Sequence, residues 1–275
     1  MKNGIVYLLV SFLPLTLNSQ NSIKKSDVKT TVDEYNFLTE AYTKENNFEL
    51  LDGYILESFG IFEYEKFHCE SKLLIELGTK NVKAVLFVIS KEKENDDKVR
   101  YLCLPINNDA LFKKFIDSYG KLGISMHGML TWFAHSIISN HIQQKFNANN
   151  SNIKTTKEEF AFLTEQYSLD NPSKLLDGYE LKPFQTEIFD EKYSYDYQLF
   201  VKRDTNKVKA VLITIAKLNN NGNKTKYISM PFNNKELQKN YVKASINLGV
   251  NLGHYFDLAN FNMVSKIIDN HYNTN

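Results

Sequence analysis

The feature that most constrains the fold of this chain is an internal repeat, because ordered self-similarity over a long period indicates that one structural unit recurs. Six short segments of the first half return in the same order in the second half. They are TTVDEYNFLTEAY (30–42) and TTKEEFAFLTEQY (155–167), LLDGY (50–54 and 175–179), VKAVL (82–86 and 208–212), YLCLPINN (101–108) and YISMPFNN (227–234), Leu122-Gly123 and Leu248-Gly249, and Asn140-His141 and Asn270-His271. The spacing grows from 125 to 126 and then to 130 residues, which indicates copies that differ by small loop insertions.

Each copy has the size of a small domain and is much longer than a solenoid repeat. The segment between the copies is rich in asparagine and has no apolar periodicity, which is typical of a surface linker. The repeat therefore predicts two domains, at 26–146 and 155–275, with a linker at 147–154.

The residue pattern of each copy predicts an α+β unit: an N-terminal helix, a mainly antiparallel sheet of three or four strands, and two C-terminal helices. Thr31 with Glu34, and Thr156 with Glu159, have the Thr-x-x-Glu spacing of a capping box. The Asp-Gly of LLDGY predicts a turn into the first strand. The first copy is predicted to have strands at 54–59, 67–77, 84–89 and 101–105, and helices that run from an Asn108 N-cap to Tyr119 and from 126 to 145. We expect the helices to pack on one side of the sheet.

The first residues have the order of a secretory signal peptide. Lys2 precedes an apolar run from Ile5 to Leu17, and small and polar residues lead to Gln20. The run is shorter than the roughly 18 residues of a membrane-spanning helix. We therefore expect a signal peptide at 1–19, cleavage before Gln20, and an exported protein, periplasmic or extracellular, with no integral membrane segment in the mature chain.

The charge balance excludes polyanions as expected partners. The chain has 33 basic and 32 acidic side chains, and removal of residues 1–19 takes away one lysine and no acid. A nucleic-acid-binding protein would show a basic excess or a basic stripe. We therefore expect no nucleic acid among its partners.

The two cysteines, Cys69 and Cys103, lie in different predicted strands of the first copy. An even number of cysteines in an exported protein permits a disulfide. In a three-strand meander, however, the two residues are at least about 10 Å apart, beyond the reach of a disulfide. Two free thiols are therefore the favoured prediction. His68 cannot activate Cys69, because adjacent residues of a strand point to opposite faces.

The histidines do not have the spacing of a metal site. His127, His135 and His141 are eight and six residues apart on one predicted helix, whereas helical ligands need spacings of three or four. His141 and His271 are expected to complement helix carboxyl ends. No phosphate-binding glycine loop, GxSxG, HExxH or CxxC motif occurs. We therefore expect no metal, no cofactor and no catalytic residue.

Carboxylates provide the alternative hypothesis of an envelope hydrolase. Glu63 and Glu65 in the first copy, and Asp190 and Glu191 in the second, flank aromatic residues in a predicted loop. Two carboxylates in a cleft can perform acid–base chemistry on a glycan.

Aromatic residues are the preferred candidates for function, because tyrosine and phenylalanine are enriched at interfaces. They cluster where the two copies differ most. The candidate binding residues are Phe62, Tyr64, Phe67, Phe189, Tyr193, Tyr195 and Tyr197. The sequence therefore predicts a non-enzymatic binding protein that recognises a protein partner or a glycan. A toxin-neutralising immunity protein is one specific version of this hypothesis.

Overall fold

The computed structural model describes residues 26–42, 51–64, 66–91, 99–147, 153–167, 175–189, 192–218 and 225–273. The predicted signal peptide lies outside these residues. The strands are β1 (Tyr54–Tyr64), β2 (Phe67–Glu76), β3 (Val82–Lys91), β4 (Arg100–Pro105), β5 (Tyr179–Phe189), β6 (Tyr193–Lys202), β7 (Lys207–Lys217) and β8 (Lys226–Pro231). The helices are α1 (Val32–Asn36), α2 (Asp109–Tyr119), α3 (Ile124–Asn147), α4 (Lys157–Ala161), α5 (Lys235–Ile246) and α6 (Val250–Tyr272). Short π-helical segments, Phe37–Ala41 and Phe162–Gln166, continue α1 and α4.

The strands form two antiparallel four-stranded sheets, with the orders β1-β2-β3-β4 and β5-β6-β7-β8. Together with the helices, they make the protein α+β, as the sequence predicts. β1 continues to Tyr64 instead of ending at Phe59, because a bulge shifts the register between Ser58 and Gly60 and pairing then resumes. β5 has the same irregularity, between Pro183 and Gln185. In each sheet the first strand lies at an edge.

Helices cover both faces of the sheet formed by β1 to β4, so the expectation that they pack on one side is wrong. On one face, Tyr35 and Leu38 of the α1 segment pack in a cluster with Leu86 of β3. On the other face, Phe87 lies 6.2 Å, between ring centroids, from Phe261 of α6. The physical reason is that β3 is apolar in both directions, and a strand of this kind is stable only when both of its faces are covered.

The chain folds into two compact units, and the ends of the long helices are exchanged between them. Unit 1 comprises the described residues up to Leu130 together with those from Phe261 onward, and unit 2 comprises Thr131–Asn260. The last part of α6 therefore belongs to unit 1, and most of α3 belongs to unit 2. The compact units thus differ in extent from the two copies of the sequence.

In unit 1, the exchanged helix end is fastened to the sheet by side-chain hydrogen bonds. Asn273 Oδ1 accepts from the Val82 N–H at 2.8 Å, and Asn273 Nδ2 donates to the Val82 carbonyl at 2.9 Å. Asp269 Oδ2 accepts from Asn107 Nδ2 at 2.8 Å. Because an asparagine side chain carries both a donor and an acceptor, Asn273 pairs with Val82 at the start of β3 as a backbone segment would.

Unit 2 repeats this arrangement with residues of α3. Asn147 exchanges hydrogen bonds of 3.0 and 2.9 Å with the N–H and carbonyl of Val208. Gln143 Oε1 accepts from Asn233 Nδ2 at 2.7 Å. α3 therefore includes Asn147, where the sequence predicts the start of the linker. Asn147 and Asn273 are 126 residues apart, so the match of Asn140-His141 with Asn270-His271 does not relate equivalent positions.

Cys69 and Cys103 are both free and buried. Cys103 lies opposite Leu86, in the face covered by α1, whereas Cys69 lies opposite Ile89, in the other face. Opposite faces explain the free thiols more directly than the distance along the sheet does. Burial raises the pKa of both thiols, so each is held as an unreactive thiol.

Within the described ranges, no helix is both long and apolar enough to cross a membrane.

Candidate functional site

Three of the repeated sequence segments meet in unit 1 at a buried cluster around Glu34. The Thr31 Oγ1 accepts from the Glu34 N–H at 3.2 Å, and Glu34 Oε2 accepts from the Thr31 N–H at 2.6 Å, which completes the predicted capping box. The Tyr54 hydroxyl donates to Glu34 Oε1 at 2.7 Å, and Lys83 Nζ lies 3.6 Å from the same oxygen. We call Thr31, Glu34, Tyr54 and Lys83 the brace of unit 1.

Unit 2 contains a brace of the same residue types at nearly the same distances. Tyr179 donates to Glu159 Oε1 at 2.7 Å, and Lys209 Nζ lies 3.5 Å from that oxygen. Thr156 supplies the cap, with a hydrogen bond of 3.1 Å from the Glu159 N–H to Oγ1. The repeated TTxxE, LLDGY and VKAV segments therefore share a local structural role, which is to join the first helix to the sheet.

The chemistry of the brace suits fastening rather than catalysis. Both oxygens of Glu34 are occupied by partners inside the cluster, and only 1% of the residue is exposed. Desolvation, followed by the hydrogen bond to Glu34, raises the pKa of Tyr54. Desolvation, followed by the hydrogen bond to Glu159, raises the pKa of Tyr179 in the same way. The tyrosines therefore stay protonated and keep donating over the physiological range.

A cavity of about 510 Å³ opens beside the brace of unit 2. Its lining residues are Thr156, Glu158, Glu159, Leu176, Asp177, Tyr179, Lys202 and Lys209. Lys202 has an acidic partner outside the cavity, Asp204, at 3.2 Å. Because the wall mixes two lysines with three carboxylates, it suits a small polar molecule better than a strongly charged one.

The histidines of the described residues lie in separate local environments. No group of three or more His, Cys, Asp or Glu side chains is arranged to hold a metal ion in the described part of the chain. The His127 ring packs against Tyr119 with ring centroids 4.3 Å apart and the planes tilted by 36°, and its Nε2 lies 3.1 Å from the Tyr119 carbonyl. His141 and His271 are both half-buried on the long helices.

His135 is a core residue of unit 2. Its Nε2 lies 2.7 Å from the Pro231 carbonyl, and Gln238 Nε2 lies 2.8 Å from its Nδ1. The carbonyl can only accept, so we assign the proton to Nε2 and the acceptor role to Nδ1. Burial lowers the pKa of His135 to about 4, against a smaller opposing effect of the Pro231 hydrogen bond.

Three of the predicted aromatic binding residues are buried, which corrects the expectation that they form an exposed surface. Phe62, Tyr195 and Tyr197 are 3%, 0% and 1% exposed. The Tyr195 hydroxyl donates to the Leu252 carbonyl at 3.1 Å, and the Tyr197 hydroxyl donates to Asn260 Oδ1 at 3.0 Å. Their polar ends are satisfied inside unit 2, which is why such polar residues can lie in a core.

The other predicted aromatic residues lie near the turns of the β1–β2 and β5–β6 hairpins. Phe67 is half-buried, with Lys66 Nζ 6.0 Å from its ring centroid. Tyr193 is half-buried and packs against Tyr255, with centroids 5.4 Å apart. The side chains of Tyr64 and Phe189 lie outside the described part of the structure.

The carboxylates of the hydrolase hypothesis are not brought together among the described residues. Glu63 is exposed and lies 3.8 Å from His68 Nδ1 across the β1–β2 pair. Glu65, Asp190 and Glu191 lie outside the described residues.

The most exposed apolar side chains of the described strands are isoleucines, which the aromatic pattern of the sequence does not identify. Ile55 and Ile61 of β1 are 36% and 45% exposed, and Ile188 of β5 is 58% exposed. In β1 the sequence shows isoleucines in a strand that a glycine interrupts. This pattern alone does not reveal their exposure, because exposure depends on which strand lies at the edge of the sheet. We call the sheet edge formed by β1 the β1 edge. Its exposed residues are Ile55, Glu57, Ser58, Ile61 and Glu63.

No protein-family model matches this chain, and neither a curated protein nor a solved structure matches it significantly.

Proposed function

We propose that the chain is an exported, non-enzymatic binding protein that arose by tandem duplication of an α+β unit with an N-terminal helix. In this proposal, export follows from the signal peptide at 1–19, and the ligand is a protein partner. The partner binds at the β1 edge and the adjoining hairpin turn. Neutralisation of a toxin, as by an immunity protein, is one function that such a surface can perform.

The observation that carries the proposal is the exposure of Ile55 and Ile61 on a strand at the edge of its sheet. An edge strand presents unpaired backbone groups, and natural proteins protect it with charged residues, above all lysine, and with proline, bulges or very short length. β1 has eleven residues, YILESFGIFEY, and contains no proline, lysine or arginine. β1 has a bulge and two exposed glutamates but neither lysine nor proline, and exposed isoleucines on an edge of this length favour a surface that is covered in a complex.

A glycan is the second candidate ligand, and the cavity of unit 2 is the observation that favours it. The cavity wall offers both hydrogen-bond donors and acceptors, which a neutral, hydroxyl-rich molecule can use. The two candidates predict different sensitive residues: Ile61 for a protein partner and Lys202 for a glycan.

Affinity purification of the tagged mature protein from its own envelope fraction, followed by mass spectrometry, tests the proposal. We expect a stoichiometric protein partner that is retained by the wild type and lost with Ile61→Asp. Ile188→Asp is the matched control, since it places the same charge at an exposed isoleucine of β5. An empty result after cross-linking would contradict a protein partner.

A further test separates binding from hydrolysis. Glu63→Gln removes the charge of the one described carboxylate of the hydrolase hypothesis and leaves the fold intact. Because Glu63 belongs to the β1 edge, we expect this variant to weaken partner binding, but by only about threefold, since one exposed charge contributes little. Complete loss of function in this variant would favour the hydrolase.

A further inference from the structure

We infer that the β1 edge accepts an extended segment of the partner as a fifth strand of the sheet, and that each face of this segment carries both basic and aliphatic residues. The inference rests on the proposed function and specifies its binding mode. Strand addition is a recurrent way in which sheet edges bind peptides, with backbone hydrogen bonds giving affinity and alternate side chains giving selectivity.

Comparison with β5 shows how this chain closes an edge. β5 has the same length as β1, the same place in its sheet and the same register shift. It carries Lys182 and Pro183 before the shift, where β1 carries Glu57 and Ser58. Proline lacks the N–H that an added strand needs, and lysine on an edge opposes pairing. β5 is thus blocked at the position where β1 is open.

The chemistry of the added segment follows from the side chains that it would meet. Ile55 and Ile61 call for aliphatic neighbours on the added strand, because apolar side chains pair across strands. Glu57 and Glu63 are exposed, and β1 has no cation of its own. Opposite charges across strands are favourable and like charges are unfavourable. Ile55 and Glu57 share a face of the sheet, as do Ile61 and Glu63, because residues two apart in a strand point the same way. A segment in which pairs of basic residues alternate with pairs of aliphatic residues therefore fits this edge better than an acidic or neutral one.

The same charges argue against a second copy of the chain as the occupant. Antiparallel pairing of two β1 strands would align four carboxylates, from Glu57 and Glu63 of each copy, with no lysine or arginine in either strand. Repulsion between these groups disfavours the self-paired form. A heterologous basic segment is the occupant to which we commit.

Binding of designed peptides to the purified mature chain tests the inference. The probe is a blocked synthetic peptide of about ten residues in which two lysines alternate with two valines, so that each face of the extended peptide carries both residue types. One control peptide replaces lysine with glutamate, and a second replaces valine with glycine to retain the charge without the aliphatic side chains. We expect both controls to bind at least about tenfold more weakly, since charge and cross-strand packing each contribute.

Variants of the two edges make the test specific to β1. Ser58→Pro and Glu57→Lys copy the two protective residues of β5, and each should weaken binding of the lysine–valine peptide by about tenfold or more. The double change Lys182→Glu with Pro183→Ser should create a second binding site. Circular dichroism and thermal unfolding verify that each variant folds, which the proline already present in β5 leads us to expect.

Hydrogen exchange identifies the mode of binding. Amides of residues 54–64 should exchange more slowly with the lysine–valine peptide bound, whereas those of 179–189 should not change. Equal binding of the glycine control, unchanged exchange in β1, or full binding by Ser58→Pro would each overturn strand addition. A dimeric wild type that Ser58→Pro converts to a monomer would show a second copy as the occupant and would also overturn it. A natural partner that binds Ser58→Pro normally would leave the proposed function standing and reject only its mode.

Discussion

The β1 and β5 edges differ in chemistry although they occupy the same place in similar sheets. Both strands have eleven residues, lie first in a four-stranded order and shift register at the same point. β5 carries Lys182 and Pro183, whereas β1 carries Glu57 and Ser58. The difference shows that backbone geometry can be kept while the ability of an edge to pair is changed by two side chains.

The interior of the two units shows the opposite behaviour. The braces around Glu34 and Glu159 use the same four residue types, and the distances from the carboxylate to the lysine agree within 0.1 Å, at 3.6 and 3.5 Å. Features that join elements are retained, and features that face solvent diverge. Function should therefore be sought where the units differ.

The largest effect is expected from separating the two copies at the predicted linker. A fragment of residues 26–147 lacks the part of α6, from Phe261, that belongs to unit 1. It should not unfold cooperatively by circular dichroism, because the Phe87 face of its sheet loses the cover that Phe261 provides. Mixing it with 153–275 should restore a cooperative transition. A stably folded single fragment would show that the copies, and not the compact units, are the folding domains.

The next largest effect is expected from substitutions that remove the carboxylate of each brace. Glu34→Ala and Glu159→Ala should each lower the free energy of unfolding by about 3 kcal/mol, because each leaves a mostly buried lysine without its partner and removes half of a capping box. Urea unfolding measures the loss. Asp33→Ala and Glu158→Ala, at exposed neighbouring positions, are matched controls and should cost about 0.5 kcal/mol or less. A much smaller loss for Glu159 would indicate that this residue is retained for the cavity instead.

Local features of the fold could be predicted from the sequence to a useful extent. The Thr-x-x-Glu spacing identified both capping boxes, and the alternation in β2 identified a strand, because each signal depends on neighbouring residues. The exchange of helix ends could not be predicted. α3 and α6 carry apolar residues along their whole length, and nothing local distinguishes the sheet of one copy from that of the other.

The candidate site was harder to predict for a related reason. Tyr195 and Tyr197 have the composition of an interface but are buried, because their hydroxyls find partners at Leu252 and Asn260, far along the chain. The exposure of Ile61 depends on β1 being the edge of its sheet. Strand order is a long-range property, and a single sequence gives little information about it.

A pH effect distinguishes the helical cores of the two units. His135 in unit 2 takes the place that Phe261 has in unit 1. The ring centroid of His135 lies 5.1 Å from that of Tyr241 in α5, and the ring centroid of Phe261 lies 5.1 Å from that of Phe115, at the same position of α2. The pKa of His135 is lowered from 6.5 to about 4 on folding. Between these pH values the unfolded chain binds a proton that the folded chain does not, so stability falls as the pH is lowered through this window.

The loss of unfolding free energy attributable to His135 should reach roughly 3 kcal/mol at pH 4 relative to pH 7. Urea unfolding at several pH values, compared with His135→Gln, isolates it, because both proteins share every other titrating group. The variant should show a flatter profile between pH 4 and 6.5. Parallel profiles would show that His135 does not titrate differently in the folded and unfolded states.

The smallest effect concerns Cys103 and Ser229, which hold equivalent positions opposite Leu86 and Leu212. Both residues are buried, and the Ser229 hydroxyl has no hydrogen-bond partner among the residues that the structure describes. A buried hydroxyl without a partner is destabilising, whereas a thiol tolerates an apolar site. Ser229→Cys should therefore raise the free energy of unfolding by about 1 kcal/mol, and Cys103→Ser should lower it by a similar amount. Ser229→Ala is the matched control for hydroxyl removal alone and should also stabilise. If Ser229→Cys and Ser229→Ala both destabilise, the hydroxyl has a role that its packing does not reveal, and unit 2 differs from unit 1 in its core as well as at its edge.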